Sequence, residues 1–455
     1  MKLKGVDLKI YLEELPTSLR RSEQRFDTRG CTYSDLLQTT ACIRRFLFQY
    51  RNSAAPVCLG SDNKCLVAAA MLAALTNGPP LVLPHALSQP VLKEMQAQTG
   101  CRLAIVDRQR DLPRNVEQFI PSVQQQDAAW HFEGQARDLD APYAWLFTGG
   151  STGRPQIWSK TIGNLWGEAL NLARTFNVSE QDRILATVPP NHIYGLLFSV
   201  LLALVSGAQL VEATPSFPRE IISAISDHQA TILVSVPVHY LALKDCTLSG
   251  HRPRLAFSSG GMLDAAAGKA FSGGTGVPIV EVYGSTETGG IATRCRAKGE
   301  ELFTPFPVVA WKTVDDFLAV KSSFLSKELA RDAQGYFITG DRVRALSGGG
   351  IELLGRGDGI IKVGGKRVDL EHIRETLICR RDVRNAAVIP IKVGKGHETG
   401  IAALVAGDAD VQVLKKALRS RLEPYECPRR IRVVERIPLT SAGKPDRPAI
   451  RALLS

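Results

Sequence analysis

Short apolar runs alternate with longer segments of helical periodicity through the first 300 residues. Apolar runs of this length are typical of buried strands, and the intervening segments repeat apolar residues with the helical period. The predicted strands are Pro56–Leu59, Pro80–Leu83, Leu103–Asp107, Arg183–Val188, Ala208–Val211, Thr231–Val234 and Val277–Val282. The predicted helices between them are Asn63–Leu75, Asn164–Thr175 and Pro218–His228. This alternation predicts an α/β fold with parallel β–α–β packing.

The pattern changes near Leu354. The segment Gly355–Gly365 is rich in glycine and charge, and smaller mixed elements follow it. These are the helices Asp369–Cys379 and Val411–Leu422 and the strands Ala386–Ile391 and Gly400–Val405. A chain of 455 residues is long enough for at least two domains. We therefore predict a large domain over residues 1–354 and a small α+β domain over residues 355–455.

Composition narrows the class of protein. Hydrophobic residues make up 44% and charged residues 22% of the chain, as in ordinary globular proteins. The amino terminus carries acidic residues where a signal peptide needs an apolar core, and the longest apolar stretch, Leu196 to Leu204, is too short to span a bilayer. Nine cysteines without a CxxC pair predict reduced thiols in a cytoplasmic protein, with neither a disulfide framework nor a zinc site.

Positive charge is concentrated near the C-terminus. The net charge is +11, and residues 411–455 hold eleven Lys or Arg against four Asp or Glu, a local net of +7. The excess is either a solvated basic face or a surface for an acidic partner. No nucleic-acid-binding module is recognisable, so we expect no nucleic acid partner.

The segment Phe147–Gln156, FTGGSTGRPQ, follows the apolar run Tyr143–Phe147. Glycines allow close backbone approach, and Ser151 and Thr152 add hydroxyl donors, so the loop could surround a phosphate. An ordinary surface turn is the alternative. The loop is not a Walker motif, because Gly153 is followed by Arg-Pro-Gln and not by Lys and a hydroxyl residue.

Four further clusters follow in order along the chain. They are FSSGGMLD at Phe257–Asp264, VEVYGSTETGG at Val280–Gly290, GYFITGD at Gly335–Asp341 and LTSAGKPDR at Leu439–Arg447. Each is a weak signal alone, because turns commonly contain glycine and aspartate. Their order and spacing together are specific.

With these motifs the chain resembles the adenylate-forming superfamily of acyl- and aryl-CoA synthetases, nonribosomal peptide adenylation domains and luciferases. The resemblance extends from about Cys31 to Lys444. It implies a large N-terminal domain of β–α–β layers with mixed sheets and a small mobile α+β C-terminal domain. It also implies formation of an acyl-adenylate from a carboxylic acid and ATP, release of pyrophosphate, and transfer of the acyl group to a thiol.

The resemblance also implies where the phosphates and the metal ion bind. The loop that holds the β- and γ-phosphates corresponds to Thr148, Gly149, Gly150, Ser151, Thr152 and Gly153. Thr286 corresponds to the threonine at the α-phosphate, and Glu287 to the ligand of Mg²⁺, an ion that prefers carboxylate oxygen.

The nucleoside contacts implied by the resemblance lie in three later motifs. Residues around the adenine correspond to Ser259, Gly260, Gly261, Tyr283, Gly284 and Ser285, with the Tyr283 ring stacked on the base. Asp341 corresponds to the carboxylate that accepts the ribose hydroxyls, and Arg356 to the arginine near ribose and phosphate.

Three other residues have counterparts in the catalytic cycle of the superfamily. Lys444 corresponds to the lysine that contacts the substrate carboxylate and the α-phosphate. Asp358, between Gly357 and Gly359, corresponds to the hinge of the small domain. His192, in PPNHIYG, corresponds to a histidine that gates the acyl pocket, and a buried structural histidine is the alternative.

The chain departs from the superfamily pattern at several positions. Gln156 stands where a lysine is usual, and Arg154 and Lys160 are close enough in sequence to compensate. His372 and Arg374 stand where acids are usual, and Gly149 replaces a frequent serine. We expect activity, with a non-catalytic protein that binds ATP or a carrier protein as the alternative.

In its short length and in the sequence TGGSTGRPQIWSKT, the chain resembles the small ligases of bacterial aryl polyene pathways. That resemblance implies loading of an aromatic or fatty acid onto the phosphopantetheine thiol of an acyl carrier protein. Carrier proteins are acidic, so a basic small domain would attract them. The phosphates of coenzyme A would be attracted too, so a CoA synthetase remains the alternative. We expect a cytoplasmic monomer or homodimer.

Overall fold

The structure, a computed structural model, describes residues 2–3, 6–7, 24–75, 78–122, 138–148, 156–346, 349–363, 366–393, 398–440 and 443–454. They fall into two compact units. The first runs to Ala310 and includes Lys321–Ala330, and the second contains Trp311–Val320 and the chain from Arg331 onward. The second unit therefore begins upstream of the predicted boundary at residue 355. A lid that starts at this boundary stays a prediction.

A six-stranded sheet forms one layer of the first unit. A separate two-stranded hairpin, β1-β2, precedes this sheet in the chain. The six strands of the sheet have the order β6-β5-β3-β4-β7-β8, and all neighbours pair in parallel except β8, which is antiparallel to β7. The strands are β1 Lys2–Leu3 and β2 Val6–Asp7 in the hairpin, then β3 Val57–Leu59, β4 Leu81–Pro84, β5 Leu103–Ile105, β6 Glu117–Phe119, β7 Pro142–Thr148 and β8 Gln156–Thr161. The accompanying helices are α1 Tyr33–Gln49, α2 Lys64–Ala73, α3 Gln89–Thr99 and α4 Ile162–Thr175.

A seven-stranded sheet forms the second layer, in the order β10-β9-β11-β12-β13-β14-β15. Its first five strands are parallel, and β14 and β15 are antiparallel to their neighbours. The strands are β9 Arg183–Ala186, β10 Gln209–Val211, β11 Ile232–Ser235, β12 Leu255–Ser258, β13 Ile279–Ser285, β14 Gly289–Arg294 and β15 Thr304–Pro305. The helices are α5 Ile193–Gly195, α6 Leu202–Ser206, α7 Pro218–Asp227, α8 Pro237–Ala242 and α9 Ala265–Thr275, with a π-helical segment Leu196–Leu201 and a 3₁₀ turn Arg296–Lys298.

Side-chain caps fix where several helices begin. The Asn63 side chain accepts from the Leu66 N–H at the start of α2, and Asp264 accepts from Ala267 N–H at the start of α9. Thr161 and Asn164 form a reciprocal capping box at the start of α4. Each cap satisfies a backbone donor that the first helical turn leaves free.

The apolar run Leu196–Leu204 is buried in the first unit, where each of its residues is at most 2% exposed. It therefore forms part of the core of this unit. In the part of the chain that the structure describes, no helix has the length and apolarity needed to cross a membrane.

The second unit combines helices with strands whose described pairs are antiparallel, except for one parallel pair. Its strands are β16 Ala310–Val314, β17 Phe317–Lys321, β18 Phe337–Ala345, β19 Ile351–Arg356, β20 Ile360–Val363, β21 Lys366–Asp369, β22 Val383–Val393, β23 Glu398–Gly407 and β24 Arg430–Val434. Its helices are α10 Leu370–Ile378, α11 Val411–Arg419 and α12 Arg447–Leu454, with a 3₁₀ turn Gly357–Gly359. They form a four-stranded sheet β16-β17-β18-β19, a β20-β21 hairpin and a three-stranded sheet β22-β23-β24. The predicted fold, a large α/β domain with mixed sheets and a smaller α+β domain, is confirmed.

The expectation of reduced thiols throughout is wrong at one pair. Cys31 and Cys65 form a disulfide, and the other seven cysteines are free. Cys31 lies just before α1 and Cys65 lies in the first turn of α2. The spacing of 34 residues does not reveal that the fold brings these two helix starts together.

A buried carboxylate connects the N-terminal ends of three parallel strands in the second sheet. Asp182, just before β9, accepts hydrogen bonds from Arg254 Nε at 2.8 Å and Thr231 Oγ1 at 2.7 Å. Arg254 and Thr231 immediately precede β12 and β11. Removal of the Asp182 carboxylate would leave the Arg254 Nε–H and the Thr231 hydroxyl without this acceptor.

We expect Asp182→Ala to lower the free energy of unfolding by roughly 1–3 kcal/mol, the usual cost of leaving buried polar groups unpaired. Urea denaturation measures this change. Asp227→Ala, at an exposed position near the end of α7, is the control and should change stability by less than about 0.5 kcal/mol. Equal effects of the two substitutions would contradict the role given to Asp182.

Candidate active site

The turn between β13 and β14 carries the predicted α-phosphate and metal residues. Ser285 N–H donates to Thr288 Oγ1 at 3.1 Å, and Thr288 N–H donates to Ser285 Oγ at 3.3 Å. The Thr288 hydroxyl also donates to the Gly289 carbonyl at 2.9 Å. These reciprocal bonds hold Thr286 and Glu287 at the tip of the turn, where both are partly exposed.

Two glycines allow this turn to close. A Cβ atom at Gly284 would overlap the Gly289 carbonyl oxygen on the opposite strand. Gly289 has a φ of +68°, in the left-handed region, and a Cβ there would lie 2.8 Å from Phe324 Cβ. The glycine spacing in YGSTETGG therefore has a steric cause.

A buried lysine lies behind the turn. Lys160, near the end of β8, is 1% exposed, and its ammonium donates to the carbonyls of Glu287 at 3.2 Å and Phe324 at 3.0 Å. Burial lowers the pKa of Lys160 to about 8, against the attraction of three carboxylates. These carboxylates are Glu168, Glu287 and Glu328.

A buried glutamate contacts the other end of the turn. Glu168, in α4, is 2% exposed, and its Oε1 accepts the Gly290 N–H at 2.6 Å. Burial raises the pKa of Glu168 to about 7, while the Gly290 hydrogen bond and the Lys160 charge lower it. Glu168 is not among the site residues predicted from the sequence. The feature that distinguishes Glu168 is its charge, because the other residues of the helix from Ile162 to Leu170 are all buried.

The Glu287 carboxylate is suited to a hard cation. Its backbone carbonyl also accepts the Ser326 N–H at 2.8 Å, so both neighbouring segments restrain the residue. Its side chain is partly exposed and forms no hydrogen bond or ion pair with another residue that the structure describes. Carboxylate oxygens of this kind fit Mg²⁺.

The predicted adenine-binding segments are neighbours in the second sheet. Strands β12 and β13 pair in parallel, with Ser258 opposite Glu281, so Ser259–Gly261 follows β12 beside Tyr283. Ser259 Oγ donates to the Val282 carbonyl at 2.9 Å, and Gly260 has a φ of +84°. The Tyr283 ring packs against Phe303, with 5.7 Å between centroids.

The predicted phosphate loop is described only at its edges. Thr148, the last residue of β7, pairs with Gln156, the first residue of β8. Gly149, Gly150, Ser151, Thr152 and Gly153 lie outside the described residues, as does Arg154. Lys160 does not compensate for Gln156 as a surface cation, because it is buried and its ammonium is bound to the two carbonyls.

His192 lies at the start of α5 and is partly buried. A Cβ at Gly195 would overlap the Pro189 carbonyl, so glycine is required in this segment. The neighbouring Asn191 side chain donates to the Pro84 carbonyl at 2.9 Å and connects the segment to the end of β4. The PPNHIYG segment is thus firmly held, and the gating role of His192 stays a prediction.

The two predicted ribose residues pair in the second unit. Asp341 in β18 and Arg356 in β19 are opposite each other in an antiparallel ladder. Asp341 N–H donates to Thr339 Oγ1 at 3.2 Å, which helps to fix the strand at this position.

Lys444 and the predicted hinge also belong to the second unit. Lys444 is exposed in a tight turn, where its carbonyl accepts the Thr440 N–H at 2.7 Å and Gly443 has a φ of +72°. Asp358, the predicted hinge residue, lies in the 3₁₀ turn Gly357–Gly359. A Cβ at Gly357 would overlap the Phe317 ring, so the turn needs glycine there.

Each unit therefore brings together part of the predicted site. In the first unit, the Ser259–Gly261 segment lies beside Tyr283 and the Thr286–Glu287 turn. In the second, Asp341 pairs with Arg356. Action of both sets, with Lys444, on one nucleotide stays a prediction.

The chain belongs to the AMP-binding enzyme family. The family model matches residues 18–318, and the model of the AMP-binding enzyme C-terminal domain matches residues 374–444. The first match contains the β13–β14 turn, and the second ends at Lys444.

Individual relatives are distant. Tyrocidine synthase 3 of Brevibacillus parabrevis is 27% identical over 67% of this chain, which spans 5% of that protein. Malonate–CoA ligase of Arabidopsis thaliana is 24% identical over 80% of this chain, which spans 68% of it. The crystal structure of ATP-bound MatB from Rhodopseudomonas palustris has a TM-score of 0.79 at 20% identity, covering 97% of this chain and 98% of that one. This structural likeness shows a shared fold.

We expect Gly284→Ala to separate the two strands of the turn, because the added methyl group would overlap the Gly289 carbonyl. The expected results are a loss of roughly 1–3 kcal/mol in stability and nucleotide binding weaker by about tenfold or more. Denaturation and calorimetry with ATP measure the two changes.

Gly273→Ala in α9 is the matched control, because a Cβ there meets nothing within 4 Å. This change should be neutral or stabilising, since alanine favours a helix interior over glycine. Unchanged ATP binding in Gly284→Ala would contradict a site built on this turn.

Proposed function

We propose that this protein is an ATP- and Mg²⁺-dependent carboxylic acid ligase that forms an acyl-adenylate and transfers the acyl group to a phosphopantetheine thiol. The observation that carries the proposal is the braced β13–β14 turn, which presents Thr286 and Glu287 beside Tyr283 in a chain of the AMP-binding enzyme family. Two related proteins, a malonate–CoA ligase and an ATP-bound MatB, support a carboxylic acid, ATP and a thiol as the substrate classes.

The proposed reaction has two steps. In the first, a carboxylate oxygen of the acid attacks the α-phosphorus of ATP, and the bond to the β-phosphate oxygen breaks to release pyrophosphate. In the second, a thiol sulfur attacks the acyl carbon, AMP leaves, and the thiol proton passes to solvent. Both steps depend chiefly on positioning and charge stabilisation, because negative groups crowd the reacting phosphorus.

The residues of the first unit have distinct roles in this proposal. The Thr286 hydroxyl donates a hydrogen bond to the α-phosphate, and the Tyr283 ring stacks on the adenine. Glu287 would hold Mg²⁺, which supplies positive charge to the phosphate oxygens when bound. His192 gates the acid pocket.

The residues of the second unit complete the proposed site. Asp341 accepts the ribose hydroxyls, with Arg356 opposite it in the ladder. Lys444 places its ammonium between the acid carboxylate and the α-phosphate during adenylation. Rotation at Asp358 then exchanges this arrangement for the one that transfers the acyl group.

The proposed acceptor is an acyl carrier protein. The second unit has a groove of about 500 Å³ with a basic rim of Lys415, Arg419 and Arg429 and an apolar floor that includes Leu418 and Leu422. An acidic surface with exposed apolar groups complements this combination. The alternative acceptor is free coenzyme A, because one relative is named as a malonate–CoA ligase.

We expect Lys444→Ala to reduce pyrophosphate release by about 10²–10³, the usual effect of removing one donor at a developing charge. Thioester formation from a supplied acyl-adenylate should be largely retained, because the lysine acts only in the first step. Lys416→Ala, an exposed lysine on α11, should affect neither step. Equal loss of both half-reactions in Lys444→Ala would contradict the assignment.

Reversal of charge on the groove rim separates the two acceptors. We expect Lys415→Glu with Arg419→Glu to lower kcat/KM for an acidic holo carrier protein by about tenfold at low ionic strength. The kcat/KM for coenzyme A should change by less. Arg430 is unsuitable for this test because its guanidinium donates to the Leu454 carbonyl at 2.8 Å.

The matched control reverses Lys269 and Arg381, which are exposed and lie outside the groove lining. It changes the net charge equally, so it reports any general charge effect. If the ratio of carrier protein to coenzyme A loading is the same in both double variants, the groove is not the carrier surface.

A further inference from the structure

We infer that Lys160 and Glu168 are positioning residues that fix the β13–β14 turn from behind and thereby set the affinity for Mg²⁺ with ATP. The inference rests on the proposed function, in which Glu287 holds the metal ion. Neither side chain reaches the turn tip as a ligand, because both are buried beneath it.

Lys160 joins two segments that are distant in sequence. Its ammonium donates to the Glu287 carbonyl at 3.2 Å and to the Phe324 carbonyl at 3.0 Å. Burial of an ammonium is costly, and an apolar side chain would fill the same space without that cost. The two hydrogen bonds are the contribution that an apolar side chain cannot make.

Glu168 holds the end of the turn. Its Oε1 accepts the Gly290 N–H at 2.6 Å, and a Cβ at Gly289 would lie 2.5 Å from its Oε2. The glycine therefore allows the carboxylate to approach the backbone directly. Together, the two side chains engage the turn at Glu287 and at Gly290.

The arrangement also involves the strand that follows the predicted phosphate loop in sequence. Lys160 lies four residues beyond Gln156, on the strand that leaves that loop. The same helix that carries Glu168 carries Asn164, whose Nδ2 donates to the Ser323 carbonyl at 2.6 Å. The turn is thus held by three elements that contact one another: strand β8, helix α4 and the segment from Ser323 to Ser326.

The chain contains a second lysine in an equivalent environment. Lys64, at the start of α2, is fully buried, and its ammonium donates to the carbonyls of Val211 at 2.7 Å and Ala213 at 2.9 Å. Neither carbonyl belongs to the β13–β14 turn. Lys64→Met therefore reproduces the loss of a buried ammonium without loosening the turn.

The experiment compares Lys160→Met, Lys160→Arg, Glu168→Gln and Lys64→Met in the full chain. Calorimetry gives the ATP dissociation constant with and without Mg²⁺, and pyrophosphate release is followed against Mg²⁺ concentration. Thioester formation from a supplied acyl-adenylate, which needs no metal ion, and urea denaturation report whether each variant is intact.

We expect Lys160→Met to lose the gain in ATP affinity that Mg²⁺ provides and to need at least tenfold more Mg²⁺ for half-maximal pyrophosphate release. Its thioester half-reaction should remain within about threefold of the unmodified protein. Lys160→Arg, which keeps two donors, should recover part of the Mg²⁺ dependence. Glu168→Gln, which keeps the shape and the carbonyl acceptor, should give a smaller shift of the same sign and replaces Lys160→Met if that variant does not fold.

An unchanged Mg²⁺ dependence in Lys160→Met and Glu168→Gln would overturn the inference. So would an equal shift in Lys64→Met, because the effect would then be a general result of lost stability. If the unmodified protein releases no pyrophosphate with any acid, the proposed function fails. The calorimetric comparison still tests the positioning role in that case.

Discussion

The β13–β14 turn is held from behind by two buried side chains, Lys160 and Glu168, and the proposed chemistry of the first unit depends on that constraint. Lys160 binds the Glu287 carbonyl at the centre of the turn, while Glu168 accepts the Gly290 N–H at its end. The second sheet changes from parallel to antiparallel pairing at this point. The turn therefore lies where the pairing changes direction, and two buried side chains contact its backbone.

The restraint has an energetic cost that a purely structural core would avoid. Two ionisable groups are each at most 2% exposed, and replacing such pairs by apolar residues is often neutral or stabilising. Glycines at 284 and 289 add backbone entropy to that cost. Proteins retain costly groups of this kind where a precise geometry is needed, and the turn carries the residues proposed for the α-phosphate and the metal ion.

Much of the architecture could be predicted from the sequence because its strands are short apolar runs between helical segments. Strands such as Val57–Leu59 and Ile232–Ser235 and helices such as Pro218–Asp227 lie within one or two residues of their predicted bounds. The disulfide between Cys31 and Cys65 could not be predicted, since it depends on which helix starts meet in space. The grouping of Trp311–Val320 with the second unit also depends on strand pairing between distant segments.

The candidate site was predictable only for the residues that carry motifs. Tyr283, Thr286 and Asp341 lie in recognisable sequences, and the structure places the first two on one strand and turn. Lys160 is close in sequence to the loop, which predicts a compensating cation, but a buried ammonium bound to two carbonyls cannot serve as one. Glu168 has no motif, so only the packing of α4 against the turn identifies it.

The central claim is that this chain activates a carboxylic acid as an adenylate, and mass spectrometry tests it most directly. The protein is incubated with ATP, Mg²⁺ and a panel of aromatic and fatty acids, without a thiol acceptor. The account predicts an acyl-AMP of the expected mass with at least one acid, an equal amount of pyrophosphate, and loss of both in Glu287→Gln. Binding of ATP without adenylate or pyrophosphate from any acid would contradict it and would indicate a non-catalytic nucleotide-binding protein.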